Sequence, residues 1–229
     1  MPRIVSLIAS ATEIIHALGM GHFMVARSHE CDFPGSVRSL PVCTSPKFAT
    51  SGNSQEIDRL VKETLQTALS VYHVDEDLLE ELQPSLIATQ SQCDVCAVSL
   101  RDVEAVVAER FGCRPRIVSL QPEALKDIWS DIRSVATALD MPSVGERVVQ
   151  ELFGRMASIS ERALSASSRP TVACLEWIEP PMAAGNWMPE LAEMAGATNL
   201  FGIAGEHSPW LNWNDLCQQD PECLVITPC

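Results

Sequence analysis

Residues 3–19, RIVSLIASATEIIHALG, decide the fold, because a short apolar run leads directly into a helical pattern. Arg3–Ala9 has the aliphatic, β-prone composition of a buried strand. In Ala11–Leu18 the apolar side chains recur at helical spacing, and Gly19 is a typical helix stop. A strand followed by a helix is the repeating unit of an α/β protein.

The same alternation continues to about residue 121. The predicted strands in this part are Phe23–Ala26, Leu86–Thr89 and Arg116–Leu120. The predicted helices are Ser54–Tyr72, Asp75–Leu82 and Leu100–Phe111. This order predicts a mostly parallel sheet covered by helices. Ligands bind such sheets at the carboxyl ends of the strands, so we expect the loops that begin at Ser10, Ser28, Gln90 and Gln121 to gather on one edge.

The pattern changes after Pro122. Leu125–Leu139 and Ser143–Ala166 are helical with no strand between them, and only Thr171–Leu175 and Leu224–Thr227 read as clear strands thereafter. We therefore predict an α/β fold of two Rossmann-like lobes joined by a long helix. The expected divisions are residues 1–121, residues 122–168 with the long helix at about 143–165, and residues 169–229. Two strands are few for such a lobe, so we expect the second lobe to be either incomplete or unusually small.

Composition excludes several classes of protein. The 229 residues are 46% hydrophobic and 20% charged, which is typical of a globular chain and not of a disordered one. No run approaches the roughly 20 apolar residues of a membrane-spanning helix. The net charge of −14 disfavours nucleic-acid phosphates and anionic membrane surfaces as partners. No secretory signal is visible, which predicts a cytoplasmic protein, or a periplasmic or cell-surface one if a signal was removed.

Patterns of catalytic residues are missing. The sequence has no Gly-x-Ser-x-Gly, no Walker loop and no Gly-x-Gly-x-x-Gly after the first strand. We therefore name no catalytic residue and no metal ligand, and we expect a protein that is not an enzyme.

Cysteines form the first group of candidate residues. Cys31 lies in the motif His29-Glu30-Cys31-Asp32, and Cys93-Asp94-Val95-Cys96 follows a predicted strand. A Cys-x-x-Cys pair can be two packed thiols, a redox or ligand-contacting pair, or half of a four-ligand metal site. Four further cysteines, Cys113, Cys174, Cys217 and Cys223, read as small core residues.

Tryptophans in predicted loops form the second group. Glu176-Trp177 precedes Pro180-Pro181, Trp187 follows Gly185, and Trp210 and Trp213 lie in the segment PWLNW. Exposed tryptophans favour a platform for a flat or apolar ligand, and the alternative is that they fill the cleft between the two predicted lobes.

The sequence resembles a known family. RIVSLIASATEIIHALG, HECDFP, LQPSLIATQSQCDVCAVS, EWIEPP, GNWMPELAEMAG and DPECLVITPC are similar to segments of the cobalamin-binding-protein family, relatives of the substrate-binding component of the cobalamin ABC importer. The resemblance implies two Rossmann-like lobes bridged by one long helix, with a ligand in the cleft between them. It implies a corrinoid or related metal chelate as ligand, no intrinsic cofactor, and a link to ABC-type import.

The resemblance and the strand-end positions together give the expected site. The expected ligand-binding residues are Ser10, His29, Cys31, Asp32, Gln92, Cys93, Cys96, Glu176, Trp177, Trp187 and Trp210. By the same resemblance, Asp77 and Asp215 would dock on an ABC permease, although acids such as Glu76 and Asp77 also favour a helix start through its dipole. An alternative function from a different class is an intracellular metal-binding or thiol-redox protein that uses Cys31, Cys93 and Cys96.

Overall fold

The structure is a computed structural model that describes residues 1–66, 70–92, 98, 100–112 and 114–228. It divides into two compact units. The first unit comprises Met1–Ser51, Ile57–Gln121 and Asp131–Val148, and the second comprises Gly52–Glu56, Pro122–Ser130 and Val149–Cys229.

The first unit is built on a four-stranded parallel sheet. Its strands are β1 (Ile4–Ser6), β2 (Met24–Arg27), β5 (Leu86–Gln90) and β6 (Arg116–Leu120), in the order β2-β1-β5-β6. Every residue of β1 and β5 is buried, as expected for parallel strands covered on two faces. The predicted parallel sheet is confirmed.

Helices α1 (Ala9–Ala17), α2 (Ser54–Leu65), α3 (Glu76–Leu82) and α4 (Leu100–Arg110) accompany this sheet. Two short 3-10 helices, Gly21–Phe23 and Gly35–Ser39, lie between β1 and the later elements. The buried core joins sheet residues such as Val5 and Ile87 to Leu79 of α3 and Val103 of α4.

A second, antiparallel pair of strands departs from the expected pattern. β3 (Thr44–Pro46) pairs with β4 (Tyr72–Val74), so the predicted helix over Ser54–Tyr72 is too long. The error arose because Leu69 and Tyr72 continue the helical spacing of apolar residues beyond Leu65, where the helix ends.

Two helices follow β6 with no strand between them, as predicted. They are α5 (Leu125–Ala138) and α6 (Pro142–Leu164), the longest helix of the described chain. Residues 142–148 of α6 belong to the first unit and the rest to the second. Within the first unit the two helices approach closely at Gly145, where a Cβ would lie only 2.5 Å from the Cβ of Ala136.

The second unit contains β7 (Thr171–Trp177), β8 (Met182–Ala183), β9 (Thr198–Asn199) and β10 (Cys223–Ile226), together with α7 (Met188–Met194) and α8 (Trp213–Gln219). β7 pairs in parallel with β9 and β10 and antiparallel with β8. The two predicted strands are observed as β7 and β10. The sequence analysis missed β8 and β9, since these strands have two residues each and leave no periodic signal.

Burial in this unit differs in two places from what apolar composition suggests. β10 reads as a buried strand but is exposed along its length, with Leu224 at 53% and Ile226 at 54% exposure. Cys217 and Cys223, expected in the core, are exposed, whereas Cys174 is buried. The apolar composition of β10 could not reveal that β10 lies at the edge of its sheet. Cys113 lies outside the described residues.

Among the described residues, no helix combines the length and the apolar character needed to cross a bilayer.

Candidate functional site

The carboxyl ends of the parallel strands in the first unit carry a connected set of polar side chains. Ser6 ends β1, and its carbonyl accepts a hydrogen bond from the backbone N–H of Ser28, which follows β2. The backbone N–H of Ser91, just past β5, donates to the carbonyl of Leu120 at the end of β6. The loops after all four strands therefore share one edge of the sheet, which is where a ligand of such a sheet binds.

Thr12 in α1 ties the start of that helix to the His29-Asp32 loop. Its hydroxyl oxygen lies 2.9 Å from Ser6 Oγ and 3.0 Å from Cys31 Sγ, and all three residues are buried. Ser10, predicted in a loop, lies in the first turn of α1 and is exposed. The helix begins at Ala9 and not at Ala11 as predicted, with Ile8 at the N-cap position and no side-chain hydrogen bond to cap it.

His29 is held by Thr44. The Thr44 hydroxyl oxygen accepts a hydrogen bond from the His29 backbone N–H at 3.0 Å, and it lies 2.7 Å from Nδ1 and 3.0 Å from Ser28 Oγ. Nδ1 and the Thr44 hydroxyl are therefore hydrogen-bonded, and the tautomer of the ring sets which of them donates. The other ring nitrogen, Nε2, lies 3.1 Å from Glu30 Oε1. The ring also contacts Tyr72, with centroids 5.0 Å apart.

The pKa of Glu30 reflects its contact with His29. Its hydrogen bond with His29 lowers the pKa of the carboxyl group, against the opposing effect of burial. The contact of 3.1 Å between Nε2 and Glu30 Oε1 therefore favours the ionised carboxylate of Glu30.

Arg27 holds the backbone of the loop that contains His29 and Cys31. Its guanidinium donates to the carbonyls of Ser28 and Cys31, at 3.0 and 2.9 Å. Asp32 is exposed and pairs with Arg38 at 3.2 Å. Arg27, Thr12 and Thr44 were missed by the sequence analysis. Thr12 lies inside the resembling segment, and Thr44 sits in a turn-rich stretch with no distinguishing pattern.

Cys31 is not poised as a reactive thiol. It is fully buried, and burial raises the pKa of its thiol. Reactive and metal-binding cysteines require the thiolate and hence the opposite shift. Within the described ranges, no group of three His, Cys, Asp or Glu side chains is arranged to hold a metal ion. Cys93 and Cys96 lie outside the described residues.

Gln92, the remaining candidate of the first unit, is half-buried just after β5. Its side-chain oxygen lies 3.4 Å from the side-chain nitrogen of Gln90.

In the second unit the candidates surround the carboxyl end of β7. Glu176 and Trp177 are the last residues of β7, not loop residues as predicted. The strand extends to Trp177 because β8 pairs with it there. The indole N–H of Trp177 donates to the carbonyl of Glu179 at 3.1 Å.

Ser208 links Glu176 to the loop that follows β8. The Ser208 hydroxyl donates to Glu176 Oε2 at 2.6 Å and accepts from the backbone N–H of Gly185 at 3.1 Å. Ser208 is buried, and it was not among the predicted residues because an isolated loop serine carries no sequence signal.

Gly185 allows two loops to touch. A Cβ there would lie 2.5 Å from the carbonyl oxygen of Glu206 and 2.7 Å from the backbone nitrogen of Ser208. Asn186 donates its backbone N–H to that same Glu206 carbonyl. The segments 178–187 and 203–211 therefore run side by side.

This loop pair presents Trp187 and Trp210, the two remaining tryptophans among the expected ligand-binding residues. Trp187 is half-buried at the start of α7, and Trp210 is 53% exposed and bridges to Met182 of β8. Trp213, the first residue of α8, is 59% exposed.

The expected docking acids lie at helix starts. Asp77 is in the first turn of α3, with its side chain 88% exposed and 3.5 Å from Arg110, which also contacts Glu76 and Glu80. Asp215 is exposed in the first turn of α8. The predicted location of both acids at helix starts is therefore observed.

Comparisons with known proteins agree with this architecture. No family model matches the chain. The vitamin B12-binding protein of Vibrio vulnificus (strain YJ016) is 21% identical over 229 residues, covering 99% of this chain and 71% of that protein. That of Pectobacterium atrosepticum is 21% identical over 230 residues, covering 98% and 71%.

Two solved structures illustrate the likeness in fold. The periplasmic vitamin B12-binding protein BtuF of Vibrio cholerae superposes with a TM-score of 0.66 at 19% identity, covering 98% of this chain and 76% of that one. The periplasmic haem-binding protein RhuT from Roseiflexus sp. RS-1 gives 0.70 at 21% identity with the same coverage. The thiol-redox alternative finds no support among these relatives. The resemblance seen in the sequence is confirmed: the chain is similar in sequence to vitamin B12-binding proteins and has the α/β fold of periplasmic binding proteins.

Proposed function

We propose that this protein is a substrate-binding protein for a metal-chelate macrocycle of the corrinoid or haem class. The observation that carries the proposal is that the polar and aromatic loops of each unit gather at the carboxyl ends of its parallel strands, in a chain similar over nearly all its length to vitamin B12-binding proteins. A broad macrocycle with polar arms requires aromatic faces and hydrogen-bonding side chains, and no catalytic group.

A matched pair of tryptophan variants tests the site. Trp210 and Trp213 are similarly exposed, but only Trp210 bridges to the strand beside Glu176. We expect Trp210→Ala to weaken the binding of cyanocobalamin or haem by about tenfold, as loss of one stacked aromatic contact would. Isothermal titration calorimetry should show Trp213→Ala unchanged. If Trp210→Ala binds the ligand as tightly as Trp213→Ala does, Trp210 does not belong to the site.

The docking role of Asp77 and Asp215 belongs to the same proposal. Exposed ion pairs contribute only about 0.2–1 kcal/mol each, so Asp77 can exchange Arg110 for an arginine of a permease. The Asp77→Lys/Asp215→Lys double variant should lose binding to the reconstituted cognate ABC permease. A Glu104→Lys/Glu161→Lys double variant changes the net charge equally and should bind as the wild type does. Identical binding of all three proteins would contradict the docking assignment.

For its compartment, we propose the periplasm or the cell surface, one of the two locations that the sequence leaves open, because a binding protein meets the permease of an importer on the side from which the ligand enters. The solved relatives above are periplasmic. Fractionation of the native host with an antibody against the chain should recover it in the periplasmic or surface fraction. Recovery in the cytoplasm would contradict the docking assignment and leave the binding function untouched.

A further inference from the structure

The last part of the chain carries acidic side chains and no permanently cationic ones. From residue 170 to residue 229 the sequence contains no Lys and no Arg. The same sixty residues carry eight acids: Glu176, Glu179, Glu190, Glu193, Glu206, Asp215, Asp220 and Glu222. His207 is the single histidine, and its Nδ1 lies 3.0 Å from the carbonyl oxygen of Ser208, where it donates. Ligand arms that meet the segments 176–187 and 203–211 therefore find no permanent positive charge in them.

Two nearby cations, Lys126 of α5 and Arg169 just before β7, do not alter this balance. Helix α5 packs here, since the backbone N–H of Leu125 donates to Glu190 Oε2 at 2.8 Å. Its exposed Lys126 is flanked by Glu123 and Asp127. Arg169 precedes the amino end of β7, the end opposite Glu176, and donates to the backbone carbonyls of Glu193 and Ala197.

The geometry around Glu176 adds a specific feature. Ser208 accepts a hydrogen bond from Gly185 and donates its only proton to Glu176 Oε2, so Glu176 must act as an acceptor. Ser208 is 6% exposed, which fixes the orientation of the carboxylate. A carboxylate held in this way can accept a further hydrogen bond from a ligand amide, and it repels a ligand carboxylate.

We infer that this loop cluster selects ligand arms that are uncharged hydrogen-bond donors, so that the protein takes an amide-armed corrinoid in preference to haem with its two propionates. The inference rests on the proposed function and decides between its two ligand classes. Glu176 is the specificity-determining residue and Ser208 is its positioning residue. Selection of this kind combines an attractive contact for one ligand with a repulsive one for the other.

The test compares two corrinoids with the same ring and metal. Dicyanocobinamide carries amide arms, and dicyanocobyrinic acid carries carboxylates at the same positions. In 20 mM NaCl the wild-type chain should bind dicyanocobinamide about tenfold or more tightly, since one charge contact near a protein surface amounts to such a factor. In 500 mM NaCl the ratio should narrow because salt screens the repulsion. Haem serves as a third probe and should bind more weakly than dicyanocobinamide.

Matched variants assign the effect to Glu176. Glu176→Gln keeps the acceptor oxygen for Ser208 and should reduce the ratio severalfold. Glu222→Gln makes the same charge change at the other end of β7, where Glu222 accepts from the backbone N–H of Thr171, and should leave the ratio unchanged. Ser208→Ala should lower the ratio, and Ser208→Thr, which keeps the hydroxyl, should preserve it. A general folding defect would instead weaken the binding of both corrinoids equally.

The outcomes separate the two proposals. Haem or dicyanocobyrinic acid bound as tightly as dicyanocobinamide overturns the inference and leaves the proposed function standing. Equal effects of Glu176→Gln and Glu222→Gln remove Glu176 as the selecting residue. Failure of all three probes to bind saturably overturns the proposed function itself.

Discussion

His29 and Glu30 form the most sharply defined ionisable pair of the first unit. Hydrogen bonding to His29 lowers the pKa of Glu30 from its usual value of 4.5. A carboxyl group whose pKa is lowered on folding stabilises the folded state fully above pH 4.5, and this contribution is lost as the pH falls through the lowered value. Because the Glu30 side chain is 55% exposed, the stabilisation is small.

We predict that an NMR titration of wild-type protein gives a Glu30 pKa below 4.5, and that His29→Gln moves it up towards that value. The reason is that the substitution removes the imidazole whose hydrogen bond lowers the pKa of Glu30. The exposed His22, which lies before β2 and not in this loop, provides the control, and His22→Gln should leave the Glu30 titration unchanged. A Glu30 pKa that is insensitive to His29→Gln would contradict the pairing.

Buried thiols make a second prediction at this scale. Burial raises the pKa of Cys31, and that of Cys43 to about 12, so at pH 8 both thiols are protonated and inaccessible. Cys217 and Cys223 are exposed. Treating the native protein with iodoacetamide at pH 8, followed by peptide mass spectrometry, should show Cys217 and Cys223 alkylated first. Alkylation of Cys31 as fast as Cys217 would revive the thiol-based alternative.

The helices α5 and α6 provide a prediction at the scale of elements. Gly145 and Gly154 both lie inside α6, but only Gly145 is against a neighbour, the Cβ of Ala136. Gly154→Ala should raise the free energy of unfolding by about 0.5–1 kcal/mol, because alanine is the better helix former. Gly145→Ala should lower it by about 1–3 kcal/mol through overpacking.

Urea denaturation of the two variants measures both effects. Ala136→Gly in the Gly145→Ala background should recover part of the loss, since it removes the methyl group that the new side chain meets. Stabilisation by Gly145→Ala of the same size as by Gly154→Ala would show that the two helices do not pack as described.

Long, strongly periodic elements could be predicted from the sequence, and short ones could not. The strand Arg116–Leu120 and the helix that starts at Leu125 agree with the structure, because burial on one face leaves a regular pattern over several turns or a continuous apolar run. The two-residue strands β8 and β9 depend on contacts made in the folded chain, which no local pattern records.

The candidate site shows the same division. The strand-end position of His29 follows from the order of elements and the parallel sheet. Thr44 and Ser208 could not be named in advance, because their importance lies in hydrogen bonds to residues 15 and 32 positions away, His29 and Glu176. Edge exposure of β10 was equally hidden, since an apolar strand reads the same at the centre and at the edge of a sheet.

At the scale of the whole molecule, charge and fold lead to the same functional class. A net charge of −14 disfavours nucleic acids and anionic surfaces, and the strand-end loops of each unit combine polar and aromatic side chains. The comparisons with vitamin B12- and haem-binding proteins extend over 98–99% of the chain. The central claim is therefore that the chain binds a metal-chelate macrocycle and, by its charge, an amide-armed corrinoid.

Equilibrium dialysis of the full chain against cyanocobalamin tests this claim most directly. Cyanocobalamin carries amide arms and absorbs visible light, so the bound fraction can be read without modifying the protein. The account predicts saturable retention that approaches one cyanocobalamin per chain and that an excess of dicyanocobinamide displaces. Retention that rises linearly with ligand concentration, or that equals retention by an unrelated protein of similar net charge, would contradict it.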